Sequence, residues 1–267
     1  MSEGDGRRPA AGSATLETRG ELRYFFAALA YFTRVPVPRG VGLDASDLGG
    51  AIRYFSLVGA LVGALGAIVF LAALRVFPVP VAVLLSMVAT LAVTGAFHED
   101  GLADSCDAFG GGATRDDVLR IMRDSRIGAF GAIGLVMALV LKWQTLAALP
   151  PIAAAWLMVA AHAASRALAA SYLVTLDYAR AEGKAQPVAQ RLSVSAYCLV
   201  TVLGFPWLLW PVWRGGLLAL GVTLVLRAAL ARYFVRRIGG YTGDCLGLAQ
   251  QIFEIVIYLV LLGWISF

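Results

Sequence analysis

Ile52-Arg-Tyr-Phe-Ser-Leu-Val-Gly-Ala-Leu-Val-Gly-Ala-Leu-Gly-Ala-Ile-Val-Phe-Leu-Ala-Ala-Leu74 decides the fold: after Arg53 it carries no charge before Arg75. About 20 apolar residues in a helix rise ~30 Å, the thickness of a bilayer's hydrocarbon core. Comparable runs follow at roughly 79–97, 128–149, 151–175, 194–213, 215–235 and 249–266. The pattern predicts an all-α, polytopic membrane helix bundle with about seven transmembrane helices. The rest of the composition agrees, with 60% of the 267 residues apolar and only 15% charged, where soluble domains carry ~25% charged residues. A water-soluble chain of this length has too little interior to hide so much apolar surface, and disorder requires the opposite composition.

The ends and the cysteines add little chemistry. Residues 1–20 are small and polar and lack the apolar core of a signal peptide, so they read as a flexible tail ahead of one catalytic domain over 21–267. Residues 21–33 are aromatic but too short to cross, and predict an interfacial helix that stops at Arg34-Val-Pro-Val-Pro38. Cys106, Cys198 and Cys245 form neither a disulfide framework nor a zinc pattern.

Charge follows the membrane. With the N-terminus inside, the inner segments hold fifteen Arg and Lys residues and the outer ones only Arg75 and Arg214. The net charge of +5 therefore reports topology, not nucleic acid. Sixteen of the seventeen acids also lie inside, and the last, Glu254, is within a span. Polar chemistry confined to one side favours an enzyme over a transporter.

The densest part of that chemistry is His98-Glu99-Asp100-Gly101-Leu102-Ala103-Asp104-Ser105-Cys106-Asp107. On a helix Asp100, Asp104 and Asp107 fall within about 60° of one another. Ionised carboxylates so placed repel unless a cation lies between them, and a hard divalent ion, above all Mg2+, is the natural compensation. A solvated acidic turn is the alternative, although no basic residue lies within seven positions on either side. Gly101 marks close approach by a ligand or a neighbouring backbone. His98 falls on the opposite face and reads equally as catalytic or interfacial.

A second helix starts at Thr114-Arg-Asp-Asp117 and carries Arg120 and Arg123 on one face, with Arg126 beyond. Arginines grip phosphate bidentately, so an acidic cradle followed by an arginine ridge suits transfer at a diphosphate; topology anchoring is the alternative. Gly239-Gly-Tyr-Thr-Gly-Asp244-Cys-Leu-Gly247 reads as a phosphate-approaching loop with a further metal ligand in Asp244, or as a hinge. Gln250, Gln251 and Glu254 form one polar stripe in the last span, and His162 and Arg166 another in the fourth. Such groups line a site or pair with each other. The loop Asp177–Lys184 offers a cationic contact or simple solvation.

Thr33-Arg-Val-Pro-Val-Pro38, His98-Glu-Asp-Gly-Leu-Ala-Asp104 with Asp107, Met122-Arg-Asp-Ser-Arg-Ile-Gly128 and Gly240-Tyr-Thr-Gly-Asp-Cys-Leu-Gly247 resemble, in order, the signature blocks of the cobalamin synthase (adenosylcobinamide-GDP ribazoletransferase) family. The likeness covers about residues 22–267; Ser56 and Leu248 depart from frequent family residues. It implies a multi-pass enzyme of the bacterial inner membrane, with N-terminus and active site cytoplasmic. It implies Mg2+, and joining of adenosylcobinamide-GDP to α-ribazole or its 5′-phosphate with loss of GMP. Its other expected partners are the lipid bilayer and other late cobamide-assembly enzymes. On this reading Asp100, Asp104 and Asp107 hold the metal, Arg123 and Arg126 stabilise departing GMP, and the base is Asp124, His98 or Glu99. Arg34, Arg120, Arg166, Asp244 and Glu254 complete the substrate-contacting set. The aspartate-glycine core also resembles the CDP-alcohol phosphotransferases, but their alanine-arginine pair and glycine-aspartate-aspartate spacing are absent. A transporter lined by His162, Arg166 and Glu254 is the alternative of another class.

Overall fold

Every apolar run forms a helix in the computed structural model, which describes residues 11–38, 45–180, 191–210 and 212–266. The first ten residues of the expected tail and Lys184 lie outside that set. In chain order the helices are α1 (Ala11–Phe32), α2 (Ala45–Ala51) with a 3-10 turn (Ile52–Tyr54), α3 (Phe55–Ala73), α4 (Val79–Thr94), α5 (Phe97–Gly111), α6 (Arg115–Ile121), α7 (Ala129–Ala148), α8 (Pro151–Ala170), α9 (Tyr172–Thr175), α10 (Val194–Leu209), α11 (Trp213–Ile238) and α12 (Gly243–Ser266). Among the described residues there is no strand; one isolated bridge pairs Tyr178 with Tyr241. Helix α1 begins at Ala11, so the second half of the expected tail is helical.

Five stretches are long and apolar enough to cross a bilayer: Leu48–Ala73, Ala129–Ala148, Pro151–Thr175, Trp213–Ile238 and Gly243–Ser266. The bent pair of α4 and α5 makes six at most, and α10 is shorter. Helices α4 and α10 have 16 residues each, or ~24 Å of rise, and together with the five longer stretches they coincide with the seven apolar runs of the sequence. The runs extend past these two helix ends, through Gly95-Ala96 and through Trp210.

That first end builds the site. Gly95 (φ 66°) and Ala96 (φ 56°) are both left-handed, and Ala96 is the one non-glycine residue among those described to be so. Two such residues cannot continue a right-handed helix, and α5 leaves α4 at 89°. Helix α5 therefore turns away from α4 and runs across the beginnings of α7 and α12.

Bulky apolar side chains such as Ile68, Ile133 and Val225 face outward, where lipid would solvate them. Packing inside depends on small residues, as is usual where lipid removes the hydrophobic drive between helices. Helix α8 is the most enclosed, with 78% of its span buried. Glycines of α3 let it come close: a Cβ on Gly63 would lie 2.7 Å from Val159 Cα. Helices α5 and α12 cross in the same way. A Cβ on Gly101 would sit 3.1 Å from Asp244 Cα, and one on Gly247 would sit 2.9 Å from the His98 carbonyl. The close approach expected at Gly101 is thus to a neighbouring backbone. Gly247→Ala should separate the two helices, costing about 1–3 kcal/mol and most of the activity; a thermal-shift and turnover measurement on detergent-purified protein checks it, and unchanged values would show the crossing to be tolerant.

Candidate active site

The crossing gathers the acids. Asp100 and Asp104, one turn apart on α5, line a cavity of about 340 Å³ together with Glu99, Ser125 and Ile127. Burial, then the charges of Asp100 and Asp244, pushes the Asp104 carboxyl up to about 7. The charge of Arg180, which pairs with Asp244, offsets only part of that rise. No three metal-binding side chains converge among the described residues. Mg2+ needs only one or two carboxylates when substrate phosphates and water supply the rest.

Asp107 is committed elsewhere. Its Oδ2 accepts from Gly128 N at 2.6 Å and its Oδ1 from Gly131 N at 2.8 Å. These are N–H groups of the first turn of α7, which have no partner within the helix. Asp107 therefore pins the far end of α5 to α7, and the three-aspartate face read from the helical wheel divides into two carboxylates and a cap.

Asp244 arrives through a backbone device. Ala179 N donates to Tyr241 O at 2.8 Å and Tyr241 N donates to Asp177 O at 3.0 Å. Any Cβ on Gly240 would collide with the Asp177 carbonyl. The bridged segments set Arg180 Nη2 2.7 Å from Asp244 Oδ2, with the Arg180 side chain 10% exposed. Arg180 also lines a cleft of about 450 Å³ with Arg115, Arg120 and Arg123. Arg115 is braced by the Ile238 and Ala179 carbonyls, both at 3.0 Å. Acidic cavity and basic cleft therefore share the Arg180–Asp244 pair. Arg34 completes the rim: its N–H donates to Val93 O at 2.7 Å, and its guanidinium rests against Gly95, which lines the acidic cavity.

The remaining candidates separate. Asp124 and Arg126 lie at the surface and bond each other at 2.7 Å; that hydrogen bond draws the Asp124 carboxyl down to about 2. His98 is 3% exposed, stacked against Phe32 and Phe55 with centroids 6.4 and 5.7 Å away. Burial, then the Arg166 charge, holds its imidazole well below the usual value. Glu99 is 9% exposed; Oε1 accepts from Gln251 Nε2 at 3.0 Å, while Oε2 has no partner. Glu254 is fully buried, 2.9 Å from Lys142 Nζ and 3.4 Å from His162 Nε2. Arg166 Nη1 donates to the His162 carbonyl at 2.8 Å. The two polar stripes thus face each other inside the bundle, with Lys142 as their third member.

The blocks quoted from the sequence converge on this one crossing. A family model described as cobalamin-5-phosphate synthase matches residues 24–262. The chain belongs to that family. Curated relatives carrying the name adenosylcobinamide-GDP ribazoletransferase include one from Ralstonia pickettii, 58% identical over 253 residues, and one from Ralstonia nicotianae, 56% identical over 252; each alignment covers 93% of this chain and 98% of the relative. A third, from Shewanella oneidensis, is 48% identical and covers 91% and 94%. No solved structure matches. Family blocks pointed to the acids, Arg34 and Asp244. They did not point to Arg180, Arg115 or Lys142; the last carried its own signal, as the one lysine in an apolar run.

Proposed function

We propose that this chain joins adenosylcobinamide-GDP to α-ribazole, or to its 5′-phosphate, and releases GMP, at the cytoplasmic face of the bacterial inner membrane. One observation carries the reading: at the α5–α12 crossing the carboxylates Asp100, Asp104 and Asp244 adjoin, through Arg180, a cleft walled by Arg115, Arg120 and Arg123. A diphosphate needs both, a cation held by carboxylates and guanidiniums for its outer oxygens. The relatives' names support the substrates, and the one-sided distribution of charge supports the orientation.

Asp100 and Asp104 would hold Mg2+, which when bound supplies charge neutralisation at the bridging and terminal phosphate oxygens. The raised Asp104 carboxyl fits that role, since a divalent ion would offset the burial and the neighbouring Asp100 and Asp244 charges that raise it. The chain's own groups do the rest. Arg120, Arg123 and Arg180 bind the phosphates and bear the charge that builds on GMP. Arg34 closes the opposite side of the cavity. A ribose hydroxyl of the ribazole attacks the cobinamide-side phosphorus; the new O–P bond forms, the anhydride P–O bond breaks, and its electron pair leaves on GMP. The hydroxyl proton passes to a carboxylate. Glu99 is best supported, because its side chain lines the cavity beside Asp100 and Asp104. His98 is walled in by aromatic rings and Asp124 is engaged by Arg126.

Detergent-purified protein given both substrates and Mg2+ should release GMP in proportion to cobamide formed, and EDTA should stop it. A transporter would release none without two compartments, so silence in this assay with folded protein rejects the proposal.

A further inference from the structure

Helix α11 is the least enclosed of the five long apolar stretches, with 22% of its span buried against 78% for the stretch that contains α8. Its outward face carries Leu218, Val225, Arg232 and Arg236, which fall within about 40° of one another on a helix. Leu218 is 48% and Val225 73% exposed, and both arginines are exposed. The face is apolar along most of its length and cationic at the end that leads into the turn at 239–244.

The arginines in the second half of α11 divide into two kinds. Arg227 is tied into the bundle: its Nε donates to Ser171 Oγ at 2.8 Å, and its guanidinium lies 4.8 Å from the Tyr172 ring centroid. Arg237 Nη2 donates to the Gly112 carbonyl at 2.7 Å. Arg232 and Arg236 make no hydrogen bond or ion pair among the described residues. Depth accounts for the division. Trp213, 56% exposed, opens the helix, and tryptophan favours a membrane boundary. From there ~28 Å of rise brings Arg232 to the far boundary of a ~30 Å hydrocarbon core, with Arg236 about one turn beyond. Arg227 falls short of that boundary, and the bundle satisfies it.

Beside the two unpaired guanidiniums runs a groove of about 270 Å³, lined by Leu176, Ala231, Val235 and the arginines themselves. A free phosphate would use the charges and leave the groove; an acyl chain alone would use the groove and leave the charges. A phosphate carried on acyl chains uses both. The acid that follows Leu176, Asp177, is bonded to Arg191 at 2.7 Å, so it is not free to neutralise the pair. A headgroup bearing its own cation would be opposed there.

We propose that this end of α11 binds one anionic glycerophospholipid, with its phosphate between Arg232 and Arg236 and an acyl chain along Leu176, Ala231 and Val235. An arginine near an anionic lipid surface contributes roughly fivefold to binding, so two should give ~30-fold.

The full chain in detergent is titrated with dioleoylphosphatidylglycerol or dioleoylphosphatidylcholine and followed by native mass spectrometry and thermal unfolding. It should bind the first ~30-fold more tightly and melt several degrees higher with it, while millimolar inorganic phosphate shifts nothing. Arg232→Gln with Arg236→Gln should cut the preference below about threefold without changing melting in phosphatidylcholine. The matched control, Arg75→Gln with Arg214→Gln, removes equal charge from the opposite end of the spans and should keep the preference. Val235→Trp keeps both arginines but fills the groove, and should lose the bound lipid. Equal binding of the two lipids by wild type overturns the proposal. So does a preference that survives loss of Arg232 and Arg236, or one that falls as far in the control, which would reduce it to net charge. An equal shift with inorganic phosphate would make this a free-anion site, full preference in Val235→Trp would remove the groove, and a two-chain species abolished by Val235→Trp would make the face a dimer contact; each also overturns it.

Discussion

Asp104→Asn should abolish GMP release and at the same time make the protein harder to unfold. The first effect follows from the loss of one of two cavity carboxylates placed to hold a cation; a drop of at least about a thousandfold corresponds to ~4 kcal/mol of transition-state stabilisation. The second follows from the sign of the shift. Asp104 titrates at about 7 in the folded chain, against ~3.9 in an unfolded one. Between those values the native state binds more protons than the unfolded state, so stability falls as pH rises. Above pH 7 the folded protein carries an ionised group that burial, Asp100 and Asp244 all oppose. The amide carries no such charge. In EDTA at pH 8 the variant should therefore melt a few degrees higher than wild type, and at pH 4 the two should coincide. Equal melting at pH 8, or more than a tenth of wild-type turnover, would remove Asp104 from this role.

Lys142→Met should be the most destabilising single change in the bundle interior. The buried charges balance there: Lys142 and Arg166 oppose Glu99 and Glu254. Methionine matches the lysine stem in length and adapts to irregular space, so packing survives while Glu254 loses its 2.9 Å partner. Breaking a buried pair from one side typically costs 3–5 kcal/mol, about the scale expected here, because the other charge is left uncompensated. Lys142→Met with Glu254→Gln restores the balance and should recover most of that loss, as read by unfolding in detergent. A single variant as stable as wild type would mean that His162 and Arg166 suffice to satisfy Glu254.

The helices were legible because a bilayer demands long apolar runs, and each run in the chain became a helix. Where they end was less legible, since Gly95-Ala96 and Trp210 continue the apolar composition while ending the helix. Helical spacing put Asp100 and Asp104 on one face, and the structure lines one cavity with both; the glycine-rich loop singled out Asp244, which the structure sets beside Arg180. For Asp107 the wheel shows one helix only, whereas its carboxylate accepts from the first turn of α7. The wheel did place His98 away from the aspartates, but its aromatic slot is assembled from Phe32 and Phe55 of two other helices. The loop holding Arg180 read only as a cationic contact or simple solvation for a similar reason: the place of Arg180 at Asp244 depends on a bridge between segments more than sixty residues apart. Local spacing finds groups that share an element, and tertiary contact decides which of them work together.

The elbow between α4 and α5 also bears on how a very large molecule can be handled by a small membrane protein. Because α5 crosses the beginnings of α7 and α12, the groups proposed to react stand beside helix ends and not midway along a span. On the proposed function, a large substrate would then need to bring only its diphosphate against the protein.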